Sequence, residues 1–320
     1  MPSVNRSLRK MAATSFIRPV LGLLLILAAA IFSPPGCPAE DQVVTDIFGT
    51  RIDPRKTFSR IISLYPAHTE NIAALDCTDL LIGISPGDDF PAIVTTKQRF
   101  SYRDNPEKFI AARPDLVLVR PMIVGAYMPL LEKLHGAGIT VVSLQPRSVD
   151  EIYSYWSALG VLLNRRSEAR RMVELFHAEL QRLEEKVSLI PVEKRPRVYF
   201  QSIHKKMKTF SPRSIAIFCL ESAGGRNIAS DATARRQSNI AAYSKERILA
   251  HADRTDIFIA QQGRMNPVTL EMLKQEPGFA AIKAVRQNRV HLIDEKLVSR
   301  PTLRLLIGMH RLHAMLYPQP

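Results

Sequence analysis

Cysteine is scarce in this chain, with three in 320 residues. Cys37 falls in an atypical N-terminal segment, and the remaining Cys77 and Cys219 are too few for a disulfide framework even in an oxidising compartment. Each of them reads as filler on an apolar face. Catalytic and metal-binding signatures are missing too. No HExxH pair occurs, and His310 and His313, three apart in the basic stretch MHRLHAMLY, read as a solvated helix face. There is no G-x-S-x-G elbow. Gly224-Gly225 in AGGRN follow a helix, where a phosphate loop would follow a strand, so they read as a helix C-cap. Asp88-Asp89 after ISPG are adjacent carboxylates of a turn or cleft wall before they are an acid–base couple. Basic residues exceed acidic ones, yet they form no Lys/Arg block and no nucleic-acid-binding motif. These absences argue against an enzyme, a resident metal site, a catalytic cofactor and a nucleic-acid partner.

What is present begins with the N-terminus. Arg6, Arg9, Lys10 and Arg18 precede the apolar run VLGLLLILAAAIF from Val20 to Phe32, followed by SPPGCPAE. A run this short does not comfortably span a bilayer, and its basic flank and small-residue exit match a secretory signal peptide. Cleavage after Ala39 is the favoured site. Gly36-Cys37 offers a lipoprotein alternative that lacks the expected Leu three residues earlier, where Pro34 stands. The mature protein is therefore expected outside the cytoplasm, in the periplasm. Removing those four basic residues takes the formal net charge from +14 to +10. The surplus is spread along the chain and suggests an anionic ligand or a membrane-facing surface.

From residue 60 on, β-branched runs alternate with helical periodicity. RIISLY, LLIGIS, LVLV from Leu116 and TVVSLQ from Thr140 read as strands; TENIAALD, NPEKFIAAR and YMPLLEKLHGAG read as helices. Asn105 is placed to cap, Pro106 fits the first helical position and Glu107 complements the helix dipole. From Asn164 to Ile190 the pattern becomes one long amphipathic helix with a stripe of Met172, Val173, Phe176, Leu180, Leu183, Val187 and Ile190. Then the alternation restarts: RVYFQS, DIFIA and VHLID are strands, with SIAIFCLESAGG a helix between them. The halves echo each other. NPEKFIAARPDLVLV and SKERILAHADRTDIFIA share a capped helix with an early Glu (Glu107, Glu246), a short turn, an Asp (Asp115, Asp256) and an apolar strand.

The pattern predicts an α/β protein of two Rossmann-like lobes, each with a mostly parallel sheet, joined by a single long helix, with a ligand cleft between them. The expected divisions are a signal peptide at 1–39, an N-terminal lobe at 40–163, a linking helix at 164–191 and a C-terminal lobe at 192–320. In SLYPAHTENIAAL, His68 and Glu70 are two apart and point to different helix faces, which argues against an acid–base pair. Glu70 and Glu246 are each expected in the first turn of a helix, one per lobe. Dipole compensation accounts for such a Glu at up to ~1 kcal/mol; alternatively, the two form a symmetric pair of exposed anionic knobs.

The chain resembles the periplasmic substrate-binding proteins of ABC importers for cobalamin, iron-siderophores and haem, whose two lobes are joined by one rigid helix. The resemblance runs through DIFGTRI, RIISLYPAHTE, EKFIAARPDLVLV, AGITVVSLQP, ESAGGRN, YSKERILA, EPGFAAIKAVRQNRVHLID and SRPTLRL in order. It implies a monomeric, non-catalytic protein that captures a metal chelate (ferric siderophore, cobalamin or haem) and delivers it to an ABC permease, with Glu70 and Glu246 docking into permease arginine pockets. Ligand contacts are implied at Tyr65, Asp88, Asp89, Phe90, Ser101, Tyr102, Arg103, Arg120, Met122 and Tyr127 on the first lobe, and at His204, Arg213, Gln261, Gln262 and Arg264 on the second. Three departures stand out. Tyr65 occupies a place that is usually small and polar, Asp76-Cys77 replaces a helix-ending glycine, and FSYRD replaces the usual Gly-Gly before the NPE helix. They leave room for a smaller or more anionic ligand than cobalamin. The rival readings are a binder of free metal or of an oxyanion such as molybdate, and an extracytoplasmic enzyme or metal-cluster protein on a related two-lobed scaffold.

Overall fold

The βαβ alternation read from the sequence is the architecture that forms. A computed structural model describes residues 43–234 and 238–318; the expected signal segment and Cys37 lie outside these described residues. The first half comprises β1 (Ile61–Ser63), α1 (Pro66–Ala74), β2 (Leu81–Ile84), β3 (Gln98–Arg99), α2 (Pro106–Ala112), β4 (Leu116–Val119), α3 (Pro121–Ala126), α4 (Met128–Gly136) and β5 (Thr140–Ser143). Its strands form one parallel sheet in the order β3-β2-β1-β4-β5. Ile61, Leu116, Leu118 and Val142 face one apolar layer, while Ile62, Val117, Val119 and Val141 face another. A parallel sheet covered by helices on both faces needs apolar residues at every position, which is why these strands read as continuous hydrophobic runs.

Two helices, α5 (Asp150–Leu162) and α6 (Arg166–Ser188), lead into the second half. On α6 the side chains of Met172, Phe176, Leu180, Leu183 and Val187 are buried, together with Ala169. Val173 is only partly covered and Ile190 lies beyond the helix end, so the stripe is narrower than the sequence suggested. There follow β6 (Arg197–Ile203), β7 (Lys208–Phe210), α7 (Ile215–Ser222), β8 (Arg226–Asn227), β9 (Ile240–Ala242), α8 (Lys245–Leu249), β10 (Ile257–Gln262), α9 (Leu270–Gln275), α10 (Lys283–Arg286), β11 (Val290–Asp294), α11 (Glu295–Val298) and α12 (Arg304–Leu316). The second sheet runs β11-β10-β6-β7-β9 with β8 beside β6, and β7 is antiparallel to both neighbours. β3, β7, β8 and β9 are two or three residues long, too short to leave a periodic signal.

One apolar layer is continuous from the first sheet, through α5 and α6, to Val198, Phe200, Ile257 and Ile259 of the second sheet and on to α7 and α12. The two lobes thus share the core that α6 fills. Burying each such Leu or Phe contributes about 1.5–3 kcal/mol, so the lobes hold their joint geometry strongly. Cys77 and Cys219 are free thiols within that layer. Asp76, just past the end of α1, has φ +54°, a left-handed conformation that Asp tolerates better than most residues.

The echo between the halves has a structural cause. Asp115, just before β4, accepts the backbone N–H groups of Ser59 (2.7 Å) and Arg60 (3.0 Å) at the entrance to β1. Asp256, just before β10, accepts the N–H of Arg197 (2.9 Å) at the start of β6. Each Asp ties two neighbouring parallel strands at their beginnings. The helices ahead of them are capped alike: Asn105 accepts from Glu107 N–H and Ser244 accepts from Arg247 N–H. That repeat places Glu107 and Glu246 at the second position of their respective helices, both exposed.

Candidate functional site

The carboxyl ends of strands in both sheets, with the loops that follow them, enclose a cleft of about 1000 Å³. This is where an open α/β sheet positions ligands, because the strands end there and the next helices begin. Tyr65 follows β1, Ser85–Asp89 follow β2, Phe100–Arg103 follow β3, Arg120 follows β4 and Gln145 follows β5. Facing them are Phe210, Ser214, Asn239, Gln261–Met265, Asp294–Lys296, Ser299 and Arg300. Tyr65, Arg120 and Ser214 are the N-caps of α1, α3 and α7, so three helices begin at the cleft wall. Their partial positive ends favour an anion there.

The first-lobe wall pairs cations with aromatic faces. The Arg120 guanidinium lies 5.2 Å from the Tyr65 ring centroid, and that of Arg103 lies 5.7 Å from the ring of Tyr102 while its Nε donates to Tyr127 Oη at 3.4 Å. Burial pushes the Tyr65 phenol above its ordinary pKa, so it stays protonated at neutral pH. On the second lobe, Arg264 is placed by its backbone N–H, which donates to Glu295 Oε1 at 3.2 Å. Among the described residues, Arg103, Arg120 and Arg264 have no carboxylate in ion-pair contact. The carboxylates of the cleft are occupied elsewhere. Asp89 pairs with Lys296 at 2.5 Å, and Asp294 accepts from Lys296 N–H as the cap of α11. Asp88 is buried, takes the Ser85 hydroxyl, and is raised in pKa by that burial. For Asp89 burial pushes upward too, but Lys296, Arg300 and Arg304 outweigh it and hold the carboxyl below its usual range.

The structure brings Tyr65, Asp88, Asp89, Ser101, Tyr102, Arg103, Arg120, Gln261, Gln262 and Arg264 to the cleft wall. Two of them are already engaged: Gln261 donates to Ser202 O and accepts from Ser299 Oγ, and Gln262 donates to Val268 O. Five other expected residues stand apart from the wall. Phe90 carries the Arg304 guanidinium at 4.6 Å from its ring centroid, Met122 and Arg213 are exposed outside the cleft, and Tyr127 backs Arg103. His204 is 5% exposed and sits between Gln201 Oε1 (3.1 Å) and Glu276 Oε2 (3.3 Å), away from the cleft. Burial keeps its pKa low despite Glu276, so it is a neutral structural imidazole.

Glu70 is the main correction. α1 begins at Pro66, three residues earlier than TENIAALD suggested, which moves Glu70 out of the first turn, and the helix is buried on every side from Ala67 to Ile72, so the Glu70 side chain is enclosed. Its side chain is 3% exposed and meets Arg300 at 2.7 Å and Arg304 at 3.5 Å. Burial raises its pKa while both arginines pull it back. A segment of the second half therefore bolts onto the first. Asn71 Nδ2 and Trp156 Nε1 both donate to Pro301 O, at 2.9 and 3.2 Å, beside the Glu70–Arg300 pair. His68 is fully buried nearby. Its Nε2–H donates to Val119 O (3.0 Å), which leaves Nδ1 to accept from Tyr155 Oη (2.8 Å). Desolvation lowers its pKa from 6.5 to about 4, so it is neutral and structural. Sequence reasoning passed over Gln145, Ser214, Asn239, Lys296 and Arg300, which also line the cleft. SRPTLRL carried the signal for Arg300, since paired arginines beside a Pro in an otherwise apolar C-terminal segment call for a buried acidic partner.

Two α/β lobes around a shared helix, one with a parallel and one with a mixed sheet, and a polar cleft at their strand ends define a two-lobed α/β solute-binding architecture. The chain belongs to the periplasmic binding protein family, whose model matches residues 61–297. It is 26% identical over 310 residues to the uncharacterized ABC transporter substrate-binding lipoprotein YvrC of Bacillus subtilis, covering 92% of this chain and 95% of that protein. The vitamin B12-binding protein of Vibrio cholerae is 26% identical over 254 residues, covering 77% of this chain and 85% of that one. Among solved structures, a possible iron-binding periplasmic solute-binding protein from Staphylococcus epidermidis superposes with a TM-score of 0.71 at 28% identity, covering 82% of this chain and all of that one.

Proposed function

We propose that this chain is an extracytoplasmic binding protein that captures an anionic metal chelate in its cleft and delivers it to the permease of an ABC importer. The observation that carries the ligand class is the set Arg103, Arg120 and Arg264, three guanidiniums at one cavity without carboxylate partners among the described residues. Tyr65 and Tyr102 beside them offer flat faces for a delocalised ligand, and guanidinium forks suit carboxylate or catecholate oxygens. A ferric siderophore or a haem with its propionates fits this chemistry better than cyanocobalamin, which carries no net negative charge for three guanidiniums to balance. A bare oxyanion such as molybdate is far smaller than a cavity of about 1000 Å³. The relatives' names, a lipoprotein of an ABC transporter and a vitamin B12-binding protein, support export and transport in general. Lobe boundaries at residues 163 and 191, on either side of α6, go with this reading.

Fluorescence titration against haem, ferric citrate, a ferric catecholate, cyanocobalamin and molybdate tests it. At least one anionic chelate should bind tightly, and Arg120→Ala with Arg264→Ala should weaken it at least tenfold. Tight binding of cyanocobalamin or molybdate with none of the anionic chelates would sink the reading.

For the permease, the repeat that ties Glu246 to Glu107 supplies the pair of docking carboxylates, with Glu107 in the role first given to Glu70. Exposed Glu side chains at equivalent helix starts, one per lobe, can meet two arginine pockets and fix the register of docking. Glu107→Arg with Glu246→Arg should abolish uptake in cells while leaving ligand affinity in vitro unchanged. Normal uptake by that double variant would remove the assignment.

A further inference from the structure

At the opposite end of the second sheet from the cleft, where its strands begin, lies a second concavity of about 480 Å³. Register sets the cations there in a row. Arg226 at the start of β8 is the direct partner of Arg197 at the start of β6, and Arg289 precedes β11 two strands further along the same edge. Adjacent strands lie about 4.8 Å apart, so the row is a few strands wide. Lys194 and Arg195 close it from the turn that follows α6. Five cations thus line the hollow against two carboxylates, Glu193 and Asp256.

The charges are only partly compensated, and most are held in place. Asp256 is shared by Arg197 (3.0 Å) and by Lys283 (2.7 Å) just outside the hollow, so it does not balance both. Arg195 is fixed by carbonyls at the end of α6, Ile190 O and Val187 O, each at 3.1 Å, and Arg289 donates to Leu316 O at 3.4 Å. These acceptors are neutral groups, so both guanidiniums keep their charge while losing little freedom on binding a ligand. Arg226 and Lys194 are exposed at the rim and have no ion pair among the described residues. Hydrogen-bonded guanidiniums in the hollow with exposed, unpaired cations at the rim match the needs of a multivalent, oxygen-rich anion, which Arg binds through paired N–H donors.

We infer that this hollow is a second ligand site, separate from the cleft, for a phosphate-type polyanion. The same phosphate chemistry is offered by a soluble oligophosphate and by the headgroup of an anionic phospholipid, and the experiment separates them. The whole mature chain is titrated calorimetrically with inorganic pyrophosphate at constant ionic strength, and is co-sedimented with phosphatidylglycerol and with phosphatidylcholine vesicles. Lys194→Glu with Arg226→Glu, both at exposed positions, should keep the thermal midpoint of the anion-free protein and reduce binding at least tenfold. Arg120→Ala with Arg264→Ala in the cleft should leave that binding intact. Pyrophosphate binding lost in the rim variant supports a soluble anion, and selective binding to phosphatidylglycerol lost in the same variant supports the lipid source. No binding to either probe, or binding that survives the rim variant and disappears in the cleft variant, overturns the site.

Discussion

Glu70 and Glu107 lie in the same lobe, each near the beginning of a helix that starts with proline, and their environments are opposite. Glu107 is the second residue of α2, exposed, behind the Asn105 cap. Glu70 is one turn deeper into α1, buried, and clamped by Arg300 and Arg304 from the far end of the chain. The difference teaches that what covers a helix, not a glutamate's distance from the N-cap, decides its exposure, since positions three apart share a helix face. α1 is buried on every side from Ala67 to Ile72, whereas only Phe109 of α2 is buried. Two similar helix starts in the sequence can therefore yield a surface knob in one place and a core ion pair in the other.

The sharpest way to break this contrast is to remove each carboxylate in turn. Glu70→Ala leaves the half-buried Arg300 with only its longer contact to Asp89 (3.6 Å) and opens a polar gap in the core, and should cost about 3 kcal/mol, whereas Glu107→Ala should stay within about 0.5 kcal/mol. Urea unfolding of both variants measures this, and similar midpoints for the two would contradict the buried-bolt description. Acid provides a second test, through His68 at the foot of the same bolt. Its folded pKa of about 4 lies below the ordinary histidine value of 6.5, so the unfolded chain binds the extra proton between those values. The stability is complete above pH 6.5 and is lost as pH falls toward 4. Between pH 7.5 and 5 the loss from this group is about 2 kcal/mol. Stability curves of wild type and His68→Gln should diverge by that amount across this window; parallel curves would show that His68 is not buried neutral. The smallest effect is expected at Asp89, whose side chain is 47% exposed although it meets Lys296 at 2.5 Å. Solvent screens such a pair, so Asp89→Asn should cost no more than about 1 kcal/mol. A loss as large as that of Glu70→Ala would mean that the bolt extends out to the cleft rim.

Much of the fold was legible because each signal was local. The apolar runs from Ile61, Leu116 and Thr140 announce strands covered on both sides, and Asn105-Pro106-Glu107 announces a capped helix. The stripe on α6 gave its buried face apart from the two residues at which the helix turns away or ends. The cleft was half legible. Tyr65, Asp88 and Arg120 follow recognisable strands, so the rule that ligands gather at strand ends finds them, whereas Tyr102 and Arg103 follow the two-residue β3 and stood out only as the FSYRD departure. Met122 and Arg213 also come after strands and yet stand exposed outside the cleft, Met122 because it is already the second residue of α3 and Arg213 because a loop's path is set by contacts that its own sequence does not specify. Short antiparallel strands such as β7 and β9 escaped for a related reason, since three residues hold no period and their identity comes from pairing with each other and with β6.

By itself the sequence determined the alternation of strands and helices, the long shared helix, the repeat that makes Asp115 and Asp256 equivalent, and the positive surplus of the chain. All of these rest on neighbours a few residues apart, where periodicity and capping act. Only the tertiary structure decided which charges are spent and which are free. Glu70 is neutralised by Arg300, 230 residues away, and Asp89 is held by Lys296. Arg103, Arg120 and Arg264 are left facing the cleft. Electrostatic pairing acts through space at a few ångströms, and which side chains reach that distance is set by the folding of both lobes together.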